Sequence, residues 1–160
     1  MTSWISAGFA FILLCCSGAQ AQQKAVNIRV DYAFTSVRVS TGQRNTMPVE
    51  WSVGATLSGN RVTDSWEGKV AGTRSAGGGT GALGGKWRVV GPNELMRVTN
   101  WPNSQTIVYV TVSGQTCVAR VEARLNPGKR VYLLRSVTDG SLTEYTDPRY
   151  TDVRCSIGES

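Results

Sequence analysis

Histidine is missing from all 160 residues, which removes the usual general base beside a serine or cysteine nucleophile and the common imidazole ligand of zinc. Cysteine is scarce. Only Cys15, Cys16, Cys117 and Cys155 occur, with no C-x-x-C spacing, so no redox pair of that kind is encoded. No N-x-[ST] acceptor for glycosylation is present. No stretch sustains an apolar period of 3.6, and the many glycines and β-branched residues argue against a long helix.

Charge is absent from residues 1–21. An apolar run from Trp4 to Cys16 precedes Ala19-Gln20-Ala21, the pattern of a secretory leader, and it is short for a membrane span of about 20 residues. The expectation is a signal peptide over 1–21 and a mature chain from Gln22, working extracytoplasmically in a periplasm or as a secreted protein. The basic residue that usually precedes such a core is lacking, leaving only the α-amino group. Leu14 before Cys15, and Cys15 before Cys16, are not the small residues that acylation favours, which argues against a lipid anchor. In an oxidising compartment the two remaining cysteines, Cys117 and Cys155, are expected to form one disulfide, contributing about 3–4 kcal/mol.

Strict alternation dominates what is left. Val26, Ile28, Val30, Tyr32 and Phe34 fall on one face of a period-2 strand, and Val49, Trp51, Val53, Ala55 and Leu57 repeat the pattern. Short strands are expected at 37–39, 62–70, 86–90, 95–99, 105–113, 116–125, 130–137 and 152–157, separated by Gly, Pro, Asn and Asp clusters. Pro127-Gly128 fits the centre of a type II turn. Residues 71–85 are glycine-dense and read as a loop. These features predict an all-β fold, one domain over 22–160, built as an antiparallel β-sandwich or small barrel of consecutive hairpins. Val153, Cys155 and Ile157 share a face, as do Cys117, Ala119, Val121, Ala123 and Leu125, so both thiols are expected to point inward.

The chemical motifs fail their context. Gly79-Thr80-Gly81-Ala82-Leu83-Gly84 matches G-x-G-x-x-G, yet no helix follows and no βαβ rhythm surrounds it. Asp64, Glu67 and Glu94 are the acids available for a glycosidase pair, but strand spacing alone does not set two carboxyls across a cleft. Asp139, Asp147 and Asp152 lack the spacing of a calcium loop. No catalytic residue, metal site or cofactor is therefore assigned, and the chain is read as a non-enzyme.

Aromatic and basic side chains are the binding candidates. Trp101 sits in Asn100-Trp101-Pro102-Asn103, which reads as a turn that leaves an indole near solvent for a sugar ring or protein partner; Trp66 is a second such candidate. The formal charge is +6, which favours anionic partners. If Pro127-Gly128 closes a two-residue hairpin, Arg120 lies opposite Arg135, with Arg124 nearby, forming an anion-binding face. Few aromatics interleave with these arginines, which argues against nucleic acid. The expected function is an exported β-domain binding a cell-envelope or extracellular component, either carbohydrate or an acidic protein. The alternative is a structural or assembly protein of the envelope that adds neighbours at its sheet edges.

Overall fold

A computed structural model describes residues 22–67, 85–135 and 139–159. The expected leader and most of the glycine-rich segment lie outside the described residues. Strands are β1 (Gln23–Arg38), β2 (Arg44–Ser58), β3 (Arg61–Glu67), β4 (Trp87–Gly91), β5 (Glu94–Trp101), β6 (Ser104–Ser113), β7 (Thr116–Leu125), β8 (Tyr132–Arg135) and β9 (Leu142–Glu159). They form two antiparallel sheets, ordered β3-β2-β1-β9-β8 and β4-β5-β6-β7. The all-β architecture of two antiparallel sheets expected from alternation is the one observed, with one sheet curled into a half-barrel. No helix among the described residues is long and apolar enough to cross a membrane, which says nothing of a β-barrel.

Alternation places the core. Val26, Ile28 and Val30 on β1 face Val53 and Ala55 on β2, and all are fully buried against Leu95, Val108, Val110 and Val112 of the smaller sheet. Each such side chain contributes about 1.5–3 kcal/mol when removed from water. The 37–39 strand proves to be the end of β1: Ser36 takes the next inward position fully buried, so pairing with β2 runs unbroken from Gln23 to Val37.

The curl has a local cause. Against β1, the register of β9 slips between Asp31 and Ala33 and again between Thr35 and Val37, each time with one extra residue on β9. Asp152 and Asp147 stand at these slips with φ of 54° and 52°, a left-handed conformation that aspartate tolerates better than most residues. Such bulges bend a strand and sharpen its twist. They also break the phase of the inward residues, which run Tyr145, Pro148, Tyr150, Val153, Cys155 and Ile157, with steps of three where steps of two are normal. That broken phase is why only the last part of β9 reads as a strand in sequence.

The consecutive-hairpin scheme holds through β1-β2-β3, through β4-β5-β6-β7 and for β8-β9, but breaks twice: β3 and β4 lie in different sheets, and β7 does not pair with β8. The type II turn forms as expected, with Lys129 N–H donating to Asn126 C=O at 3.1 Å and Gly128 at a φ of 78°. It sends the chain across to the other sheet, where β8 pairs with β9. Arg120 consequently lies opposite Tyr109 on β6, not opposite Arg135. The Cys117–Cys155 disulfide then joins edge strand β7 to β9, with Cα atoms 5.6 Å apart, stapling one sheet to the other.

Candidate functional site

The inner face changes character along its length. On β1 the inward row passes from Val26, Ile28 and Val30 to Tyr32 and Phe34, and β2 answers with Trp51 and Val49. β9 adds Tyr150, β5 adds Trp101, and β8 adds Tyr132 and Leu134. These side chains do not fill the space between the sheets, and a cavity of about 130 Å³ remains. Sheet curvature opens this end: β1, β2 and β9 are 16, 15 and 18 residues long and overhang β6 and β7, which have 10 each.

Polar atoms of the wall bind each other. Trp51 Nε1 donates to Tyr32 Oη at 3.0 Å, Trp101 Nε1 donates to Thr106 Oγ1 at 3.0 Å, and the Thr106 and Tyr150 hydroxyls bond at 3.1 Å. Tyr32 and Tyr150 meet edge to face with centroids 5.5 Å apart, and Phe34 tilts against Tyr150 at the same distance. Burial raises both phenols, Tyr150 from 10 to about 12 and Tyr32 further still; both therefore stay neutral at ordinary pH. The frame is thus cross-braced and mainly apolar toward the cavity.

Two polar groups in the wall stand apart from this network. Arg97 is only 8% exposed, stacks its guanidinium 4.2 Å above the Trp51 ring, and bonds Glu67 through Nη1 at 2.6 Å, while its buried Nε has no partner among the described residues. Ser104 is 2% exposed and its Oγ is likewise unpartnered. Buried polar groups are nearly always satisfied, so each such exception asks for an explanation.

Asn103 builds the wall. Its Nδ2 donates to Val131 C=O at 2.7 Å and its Oδ1 accepts from Leu133 N–H at 2.9 Å. The amide thus imitates a neighbouring strand on the outer edge of β8, holding Tyr132 and Leu134 over the cavity. Its own carbonyl accepts from Asn126 N–H at 2.9 Å.

The sequence-derived candidates separate. Trp101 and Arg135 both reach the cavity; Trp101 is the half-buried end of an inward row, not the solvent-facing turn residue expected. Trp66 is 42% exposed on the opposite, outer face of the larger sheet, where its indole occupies the place a side chain at Gly54 would take. Arg120 and Arg124 lie on the outer face of the smaller sheet and flank Glu122 at 3.2 and 2.5 Å, with Arg120 also 4.2 Å over Tyr109. The anion-binding face of Arg120, Arg124 and Arg135 is not assembled. Of the acids, Glu67 is held by Arg97, and Asp64 accepts from Ser65 N–H at 2.8 Å.

Sequence reading missed Tyr32, Trp51, Tyr150, Arg97 and Asn103. Two signals were available: the aliphatic-to-aromatic switch along one inward row, and a charged residue in the inward series Leu95, Arg97, Thr99, Trp101. No protein-family model, curated protein or solved structure matches the chain.

Proposed function

We propose that this is an exported, non-enzymatic binding domain that holds an apolar, ring-sized group of an envelope or extracellular molecule in the cavity between its sheets. The observation that carries this reading is the unfilled aromatic chamber, since native interiors are close-packed and largely free of such voids. Engineered apolar cavities of about 150 Å³ bind benzene. A chamber near that size, with braced walls, is suited to one ring. Carbohydrate is the weaker occupant, because the indole N–H groups and the Tyr150 hydroxyl that would grip sugar hydroxyls already bond within the wall. Export is supported by the charge-free N-terminal pattern together with the Cys117–Cys155 bond, which suits an oxidising compartment.

Indole N–H resonances make the test specific. Titrating toluene into the protein should shift the Trp51 and Trp101 signals saturably while leaving Trp66 unmoved. Absence of any saturable shift overturns the cavity as a site, and oligosaccharides that move Trp66 alone would relocate binding to the outer face. For export, the protein recovered from its native cells should begin at Gln22 and resist thiol alkylation until reduced; cytosolic material with an intact N-terminus and two reactive thiols would refute it.

A further inference from the structure

We propose that the ligand is an anion, a small aromatic monocarboxylate whose ring fills the chamber and whose acid group meets Arg97. This rests on the cavity being a binding site and adds the chemistry of its occupant.

Charge at the wall is biased one way. Arg97 and Arg135 both line the chamber, whereas Glu50, the one acidic residue among the described residues along it, pairs with Asp31 on the outward register of β2 and is bonded there by Arg29 Nη2 at 2.9 Å. An arginine is always charged, and burying one without full hydrogen bonding is unfavourable. Arg97 is nevertheless kept 92% out of solvent, with Trp51 fixing the plane of its guanidinium and Glu67 holding only Nη1. Its Nε, which lies beside Gly85, has no hydrogen-bond partner among the described residues, and neither has the hydroxyl of the chamber-lining Ser104. An acceptor-bearing ligand satisfies what the protein leaves unmet, and an anion satisfies it best because charge-assisted bonds are roughly twice as strong as neutral ones.

The same features narrow the class. Glu67 already offsets part of the guanidinium's charge, which suits a monoanion over a phosphate dianion. A planar carboxylate matches the guanidinium fork. The remaining wall consists of rings and methyl groups, and the volume admits a single ring.

Calorimetry with phenylacetate and its neutral isostere phenylacetamide, at low ionic strength, tests the proposal. Phenylacetate should bind about tenfold or more tightly than the amide. Glu67→Gln, which alters a half-exposed side chain, should strengthen phenylacetate about threefold or more and leave phenylacetamide unchanged. Arg97→Met should erase the preference while retaining amide binding. If that variant fails to fold, Glu67→Gln alone decides. Equal binding of acid and amide overturns the anion assignment and leaves the chamber as a neutral site. Preference for the acid that survives Arg97→Met, or that Glu67→Gln leaves unchanged, also overturns it, since Arg97 would then not be the receptor. Failure of both compounds to bind removes the chamber reading itself, and this inference with it.

Discussion

Replacing Asn103 by alanine should loosen one wall of the chamber and leave the rest of the sandwich intact. The side chain makes two hydrogen bonds, at 2.7 and 2.9 Å, to the backbone of β8, and the residue is only 4% exposed. A net bond is worth about 0.5–1.5 kcal/mol, and stranding a buried backbone group adds about 1–3 kcal/mol, so about 2–4 kcal/mol is expected. Because β8 has four residues and, among the described residues, pairs otherwise only with β9, the loss should be local. Hydrogen exchange at the Leu133 amide should accelerate about thirtyfold or more, the factor that corresponds to 2 kcal/mol. Amides of Ile28 and Val110 should keep their relative order as the slowest to exchange. Asn103→Asp sharpens the test. Its carboxylate can still accept from Leu133 N–H but faces the Val131 carbonyl with no proton to donate, so at pH 7 it should be at least as damaging as alanine. Near pH 4 a protonated carboxyl recovers a donor, and part of the stability should return. Unchanged Leu133 exchange in the alanine variant, or an aspartate variant as stable as the native protein at pH 7, would refute the strand-mimicry argument.

Removing both Cys117 and Cys155 opens a cross-link spanning 38 residues; urea titration should show about 4 kcal/mol lost, and a loss below about 1 kcal/mol would mean the unfolded chain is not constrained as argued. Alkaline titration should destabilise the fold. Tyr150 is raised from 10 to about 12 by burial, so its contribution is intact below pH 10 and is lost as pH climbs through 12, amounting to about 3 kcal/mol; Tyr32 acts in the same direction. A folded protein that ionises every tyrosine at pH 10.5 without unfolding would contradict this. Thr99→Ile extends a 5%-exposed, chamber-lining side chain into the void and should raise stability by up to about 1 kcal/mol while weakening toluene binding about tenfold. Lowered stability with unimpaired binding would show that the space does not lie over Thr99.

Strand positions were legible because alternation is a local signal: Val26 to Phe34 and Val49 to Leu57 each announce a face without reference to partners. The inward cysteines were legible for the same reason. What escaped was whatever depends on phase or on distant pairing. The two aspartate bulges shift the inward row of β9 by one residue each, so Pro148 and Tyr150, which lie between them, look out of register with Tyr145 and Val153, and a strand of 18 residues reads as a short one. The Pro127-Gly128 turn was identified by type, yet a turn fixes its own four residues and not the sheet its exit strand joins. That exit was decided by Asn103 and by the long edge of β9, neither of which adjoins the turn in sequence. A grouping of Arg120, Arg124 and Arg135 requires a β7-β8 hairpin, and without that pairing the three separate. Trp101 reaches the candidate site by facing inward, although its turn-like sequence neighbours suggest exposure.

The two ends of the sandwich solve different problems. At the aliphatic end, valine, isoleucine and leucine pack without polar atoms, and the disulfide holds β7 to β9 there, beside Val30 and Val112. The same packing could have continued along β1 and β2. Rings take over instead, with tips bonded to one another, so the walls are stiff although the space between them is not filled. A dry void of about 130 Å³ would cost about 3 kcal/mol at ~24 cal/mol per Å³, close to what the disulfide contributes. A core under selection for stability alone would close that space with one larger aliphatic residue at Thr99 or Ser104. Retaining it, beside a guanidinium with an unmet donor, is the kind of departure from good packing that concentrates where a protein receives something from outside. Asn103 and the disulfide then act at opposite ends of the same wrap of β8 and β9. Ligand that bridges the sheets at the aromatic end would add a third tie, which couples occupancy of the chamber to the stability of the whole fold.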